Sequence, residues 1–182
     1  MSVVIADRFI SKSRATDVAL VTGGALITAL AAQIQIPMFP VPMTMQTFAV
    51  LLVGAALGAS RGALSMSLYL VLGAIGMPVF AGAKTLTGVL PTAGYLVGFV
   101  AAAAVIGYFA SKGFTKNAIK LALTLSLGTV VIYAFGVAGL MLTLGLTLPQ
   151  ALAGGVAPFL IGDVVKAVAA AALLPAVWKF LK

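Results

Sequence analysis

Two ionisable side chains stand inside an otherwise apolar stretch of this chain, Asp163 and Lys166 in Gly162-Asp163-Val164-Val165-Lys166. A charge at mid-bilayer depth costs at least about 2.5–3.5 kcal/mol. A carboxylate and an ammonium in one membrane span therefore need a compensating role. Residues at i and i+3 share a helix face, and helical side chains lean toward the N-terminus, which brings Lys166 toward Asp163. Pro158 suits a first helical turn, where its missing N–H costs nothing. Counted from there, Asp163 lies about 8 Å and Lys166 about 12 Å along the helix, close to the positive end of its dipole. Such a pair can tie helices together as a plain ion pair, or it can receive an anion at Lys166 and N–H donors at Asp163. Ionisable groups within membrane spans mark substrate or ion pathways, so a binding site is the expectation.

Other chemistries are thinly provided. There is no cysteine and no histidine in the 182 residues. Disulfides, thiol chemistry and imidazole acid–base work are absent, as is the usual transition-metal site. One buried carboxylate offers little general acid–base machinery, so neither an enzyme nor a resident metal or cofactor is expected. No Gly-x-x-x-x-Gly-Lys-Ser/Thr stretch is present, and any ATP hydrolysis must come from another subunit.

The elements that position the pair are those of a membrane protein. The chain is 63% hydrophobic and 8% charged, with a mean hydropathy of +1.23. Its length fits a single all-α domain over 1–182, a compact bundle of about six transmembrane helices at ~20 residues each plus loops. The net charge of +8 sits largely in short loops beside apolar segments, a topology signal rather than a nucleic-acid surface. Residues 1–17 mix Val4, Ile5, Phe9 and Ile10 with Asp7, Arg8, Lys12, Arg14 and Asp17. They read either as a short amphipathic helix on the membrane surface or as a frayed tail. No removable signal peptide is expected.

The first span is predicted over Val18–Ile34. Ala25-xxx-Ala29 gives it a small face for a close helix contact, either inside the bundle or with a partner subunit. Gln35 to Thr47 carries Pro37, Pro40 and Pro42 and forbids a regular helix. Irregular apolar backbone at membrane depth survives only where protein buries it or it lines a cavity. The segment is therefore expected to dip into the bundle and offer Thr44 and Gln46. A short second span over Thr47–Leu57, a tight turn at 58–62 and a third span over Ala63–Ile75 follow. Residues 77–91, with Gly82, Lys84, Gly88 and Pro91, are expected to form a flexible lid. Thr92 and Tyr95 open a fourth span to about Ala110. A fifth runs over Ile119–Leu144, 145–157 is expected as a Gly/Pro-rich loop, and the sixth ends near Trp178-Lys179-Phe180. No internal repeat is evident.

With the N-terminus inside, Arg8, Lys12, Arg14, Arg61, Lys112, Lys116, Lys120, Lys179 and Lys182 lie on the cytoplasmic side and Lys84 alone lies outside. This is the positive-inside asymmetry, and six spans return the C-terminus to the cytoplasm. The proline-rich segment, the 77–91 loop and the start of the sixth helix then converge on one outward-facing pocket, apolar with a few placed polar groups.

The order of motifs resembles a known family. Pro40-Val41-Pro42-Met43-Thr44-Met45-Gln46-Thr47, Arg61-Gly62-Ala63-Leu64-Ser65, Gly73-Ala74-Ile75-Gly76-Met77-Pro78-Val79-Phe80, Pro91-Thr92-Ala93-Gly94-Tyr95-Leu96-Val97-Gly98-Phe99 and Gly162-Asp163-Val164-Val165-Lys166 follow one another as in the BioY family. These are the biotin-binding S components of energy-coupling factor (ECF) vitamin transporters. The resemblance spans the chain beyond residue 18 and implies six helices in a prokaryotic cell membrane, with an outward biotin pocket. The implied partners are a transmembrane (EcfT-like) coupling subunit and two ATPase subunits, with Ala25 and Ala29 as the coupling-subunit contact. Against biotin, Asp163 can accept a ureido N–H, and Lys166 can pair with the carboxylate or donate to the ureido oxygen. Thr44, Gln46, Thr92 and backbone near Gly82 can add hydrogen bonds, and Phe80 and Tyr95 can pack on the rings. The competing expectation is a stand-alone, proton-linked secondary transporter with Asp163 as proton carrier. Such transporters normally carry repeat symmetry, which is not seen here.

Overall fold

In the computed structural model, residues 4–9, 13–86 and 90–180 are described, the side chains of 8–9 and 171–180 excepted. Arg8, Lys12, Gly88, Trp178, Lys179 and Lys182, named above, thus lie wholly or by their side chains outside the described residues. The elements are α1 (Ala6–Phe9), α2 (Arg14–Gln33), β1 (Gln35–Ile36), β2 (Met43–Thr44), α3 (Gln46–Leu57), α4 (Ala59–Ala74), α5 (Ala93–Ser111), α6 (Ala118–Leu144), α7 (Leu148–Gly155) and α8 (Leu160–Phe180).

Local sequence sets most of these boundaries. Ser13 caps α2, its hydroxyl accepting from Thr16 N at 3.1 Å, which satisfies one of the orphan donors of a first turn. α2 ends where Ile34 becomes extended, ahead of Pro37, Pro40 and Pro42. The proline-rich segment is more ordered than a plain loop: Gln35 pairs with Thr44 and Ile36 with Met43 in a short antiparallel ladder. α3 and α4 are separated by Gly58 alone, at φ +83°, a conformation that glycine adopts without steric cost. The expected turn at 58–62 therefore shrinks to one residue, and Arg61 and Gly62 belong to α4. Residues 145–157, expected as a loop, contain α7. Its signal is a capping box in Thr147-Leu148-Pro149-Gln150, where Thr147 N donates to Gln150 Oε1 at 2.9 Å. Pro158 lies in a 3-10 turn, Ala157–Phe159, that leads directly into α8.

The chain runs back and forth between two ends. At one end Arg61, in the first turn of α4, is ion-paired to Asp7 of α1 and to Asp17 of α2. The turn between α5 and α6, with Lys112, Lys116 and Lys120, closes the same end. There the C-terminal part of α5 meets the α3–α4 junction, Gly107 lying against Gly58 and Ala59. At the other end the β1–β2 hairpin, the loop after α4, and the starts of α3, α5 and α8 come together. Among the described residues, four helical segments are long and apolar enough to cross a membrane: Arg14–Gln33, Ala93–Ser111, Ala118–Leu144 and Leu148–Ala170. α3 is a shorter apolar helix of 12 residues, about 18 Å long at 1.5 Å per residue.

Packing is tightest between α5 and α6. A Cβ on Gly94 would lie 2.7 Å from Gly139 Cα and closer still to the Phe135 carbonyl, so the two backbones touch. Small residues at helix crossings in membranes allow such contact. Outside the bundle, Leu26, Leu30, Leu64, Val71, Leu123, Leu142, Val164 and Val165 are exposed. Asp163 and Lys166 point the opposite way and are 6% and 9% exposed.

The close crossing generates a stability prediction. Gly94→Leu must part α5 from α6 and should cost at least the 1–3 kcal/mol typical of overpacking. Thermal unfolding of the purified protein in detergent should show a midpoint several degrees lower, whereas Gly23→Ala, with nothing near its added Cβ, should leave it unchanged.

Candidate functional site

Asp163 and Lys166 lie in the first two turns of α8 and form an ion pair, Nζ to Oδ1 at 2.8 Å. Three further elements contribute to the cluster. Lys166 Nζ also donates to the Thr44 carbonyl of β2 at 2.8 Å and to Thr47 Oγ1 in the first turn of α3 at 2.9 Å. Thr47 in turn donates to Asp163 Oδ1 at 3.2 Å. From α6, the Tyr133 hydroxyl donates to Asp163 Oδ2 at 2.5 Å. An ammonium has three N–H donors, and here each has a protein acceptor. The carboxylate receives three donors and retains acceptor capacity at Oδ2.

The cluster forms the polar head of a cavity of about 50 Å³ whose apolar walls include Val41, Pro42, Tyr95, Leu96, Phe99 and Phe159. Thr44, Gln46, Thr47, Thr92, Tyr133, Asp163 and Lys166 complete the lining. Pockets for small molecules usually measure hundreds of Å³, so the cavity here is contracted around its own polar groups. The Thr44 hydroxyl donates to Gln46 Oε1 at 2.9 Å, and Gln46 Nε2 donates to Tyr69 Oη at 2.7 Å. Tyr69 passes the chain of bonds on to the Val79 carbonyl at 3.0 Å. The hairpin, α3, α4 and the loop after α4 are thereby joined at one polar seam.

Of the residues singled out by sequence, Asp163, Lys166, Thr44, Gln46, Thr92 and Tyr95 line this cavity. Phe80 and Gly82 do not. The Phe80 ring is 2% exposed, wedged against Gly73 and edge-on to Tyr69 at 5.3 Å. Gly82, at φ +70°, lies beside the Gln35 side chain. Through residue 86 the expected lid is held down. Gln33 Nε2 donates to the Phe80 carbonyl at 3.2 Å, Ala83 N donates to Gln33 Oε1 at 3.1 Å, and Leu86 N donates to the Gly73 carbonyl at 3.0 Å. The small face of α2 is also corrected: Ala25 is fully buried and Ala29 packs against the same core. Ala25 is thus used inside the bundle, while Ala29 is half-buried at its edge.

Sequence reasoning missed Tyr133 and gave Thr47 no role beyond opening a span. A tyrosine in the middle of an apolar span is itself a signal, because a buried phenol hydroxyl needs a partner. Phe99 and Phe159 gave none, since an aromatic wall of a cavity reads like core.

The fold is a helical membrane bundle that gathers a satisfied polar cluster at the head of a small apolar cavity. The structure superposes with a TM-score of 0.77 on the S-component for biotin from an ECF-type ABC transporter, over 93% of this chain and 95% of that one at 25% identity. The BioY family model matches residues 6–182, and the chain belongs to that family. Similar relatives include the biotin transporter BioY of Rhizobium etli, 40% identical over 77% of this chain and 79% of the relative. That of Thermotoga maritima is 41% identical over 77% of this chain and 82% of the relative. The chain is accordingly a multi-pass membrane protein of a transport family, not an enzyme.

The cluster's closure predicts its energetics. Removing one partner of a buried pair leaves an uncompensated charge and costs about 3–5 kcal/mol, whereas replacing both by apolar residues is often neutral. Asp163→Leu and Lys166→Met should each lower the thermal midpoint, and the double variant should recover most of the loss. A double variant as unstable as the sum of the two would contradict the reciprocal pairing.

Proposed function

We propose that the protein is the biotin-binding membrane subunit of an ECF-type transporter. It captures biotin from outside the cell for ATP-driven uptake, with a separate coupling subunit and two ATPase subunits. The observation that carries this reading is the division of labour within the polar cluster. Biotin presents two ureido N–H donors, a ureido carbonyl, an apolar ring system and a carboxylate tail. A guest N–H can join Asp163 Oδ2 beside Tyr133 without breaking an existing bond. A guest oxygen reaches Lys166 only by taking the place of the Thr44 carbonyl, the Thr47 hydroxyl or Asp163. On this reading the ureido edge meets Asp163, its carbonyl competes for Lys166, and the fused rings rest on Tyr95, Leu96, Phe99 and Phe159. On this reading the carboxylate tail lies away from the cluster, and Lys166 donates to the ureido oxygen rather than pairing with the carboxylate. Asp163 accepts from Lys166, Thr47 and Tyr133, which supports its reading as a fixed acceptor.

The topology follows from the same reading. All of α2, α3, α4, α5, α6 and α8 pass through the membrane, the shorter α3 and α4 within the bundle. The end bearing Arg61, Lys112, Lys116 and Lys120 is cytoplasmic, as are both termini, and the cavity end, near Lys84, faces outward. The coupling subunit meets the side of α2 that the bundle leaves open. Ala19, Thr22, Leu26 and Leu30 are exposed there, and Gly23 has no heavy atom within 4 Å of its Cβ position.

Equilibrium binding to the purified full chain tests the site. Losing a hydrogen bond to a charged group costs about 1.5–3 kcal/mol, so Asp163→Asn and Lys166→Ala should each weaken biotin binding roughly tenfold to a hundredfold. Biotin methyl ester should bind the unaltered protein within a few-fold of biotin. Unchanged affinity in Asp163→Asn would remove that residue from the site, and loss of binding on esterification would move the carboxylate to Lys166. In cells, Gly23→Trp should block energised uptake while binding persists, whereas Ala25→Trp should disturb the bundle itself.

A further inference from the structure

Opposite the cavity end, α5 and α6 are joined by a turn that concentrates charge and aromatic surface. Lys112, Lys116 and Lys120 are all exposed. Three rings stand in a row beside them, Tyr108 to Phe109 at 5.4 Å and Phe109 to Phe114 at 5.2 Å. Lys112 Nζ lies 5.4 Å from the Tyr108 ring centre and Lys120 Nζ 5.3 Å from that of Phe114. Cation–π contact attracts each ammonium to its ring face and leaves its N–H donors able to meet an anion. Carboxylates are scarce in this chain, with three Asp and Glu against 11 Lys and Arg. Asp17 is held by Arg61 and Asp163 by Lys166.

What distinguishes this patch from a generic basic loop is the surface below it. Ile119, Leu123 and Leu127 are exposed, and Leu123 and Leu127 follow Lys120 along α6 at i+3 and i+7, on one helical face. The Lys120 ammonium, over the Phe114 ring, thus sits at the head of a stripe of aliphatic surface. A soluble anion or an acidic protein would use only the charged half. A phospholipid with an anionic headgroup uses both, its phosphate at the lysines and its acyl chain along the stripe. We propose that the α5–α6 turn is a binding site for an anionic phospholipid of the adjoining leaflet, with Lys120 as its phosphate ligand and Lys112 adding to the positive field around it. Polybasic segments attract acidic lipid at about 1 kcal/mol per lysine near the surface, so loss of both should weaken binding by about thirtyfold.

Native mass spectrometry of the full chain in detergent tests this, using phosphatidylglycerol and phosphatidylcholine with matched acyl chains. The unaltered protein should retain phosphatidylglycerol adducts in preference to phosphatidylcholine and lose the preference as salt is raised. K112Q/K120Q should lose it, and K84Q, at the opposite end, should keep it. Equal retention of the two lipids by the unaltered protein would overturn the proposal, as would equal loss in K84Q. Displacement of phosphatidylglycerol by millimolar inorganic phosphate would show a soluble-anion site and overturn the lipid assignment.

Discussion

Desolvation of two opposite charges governs the cavity end of this protein. Moving a carboxylate and an ammonium out of water costs several kcal/mol per ion even after relaxation. Here the cost is offset by a closed set of bonds in which Lys166 meets Asp163, the Thr44 carbonyl and Thr47, and Asp163 meets Tyr133 and Thr47. Apart from the ion pair within α8, these bonds tie α8 to three other elements: β2, the first turn of α3, and α6. The polar cluster is therefore the knot that holds four separate segments at one end of the bundle. On the proposed function, stability and binding draw on the same atoms.

The rest of the fold serves to deliver those segments to one place. α3 is short, and that shortness lets Gln46 and Thr47 begin a helix at the depth of the cluster while Gly58 reverses the chain at the far end. Tyr133 reaches Asp163 because α6 lies against α5 backbone to backbone at Gly94 and Gly139. Tyr95 lies over Gly136 and donates to the Gly155 carbonyl at 2.6 Å. That bond fixes the break between α7 and α8 just ahead of Asp163. Glycine-permitted contacts between helices thus set the distance between the donors and acceptors of the site.

Much of this was readable from residue types. A charged pair at i and i+3 in an apolar segment, three prolines before Thr44 and Gln46, and the asymmetric distribution of lysines located the cavity end and its principal polar groups. The turn chemistry was less legible. Gly58 alone could reverse the chain only because α3 and α4 pack directly, and the Thr147–Gln150 box was outweighed by the surrounding Gly and Pro. Phe80 and Gly82 were placed at the site because they lie in a loop near it. In the fold their loop is pinned from below by Gln33 and Tyr69, and Phe80 fills the space left by Gly73. Ala25 was misplaced for the opposite reason. Small-residue spacing identifies a face that can be approached closely, but it does not say which helix approaches it.

The contracted cavity has a mechanical consequence. The Thr44 carbonyl that occupies Lys166 belongs to the β1–β2 hairpin, and the hairpin's own ladder is only two residue pairs long. Beyond it, Phe39 is 91% exposed, while Val41 is buried in the core and Pro40 lies against Gly154. A guest oxygen that takes the place of the Thr44 carbonyl would remove a bond that fastens this hairpin to α8. The Thr44 carbonyl and the Thr47 hydroxyl keep the Lys166 ammonium satisfied at the head of a cavity of about 50 Å³. On the proposed reading, a guest oxygen takes the place of one of these acceptors, so that no N–H of Lys166 is left unpaired.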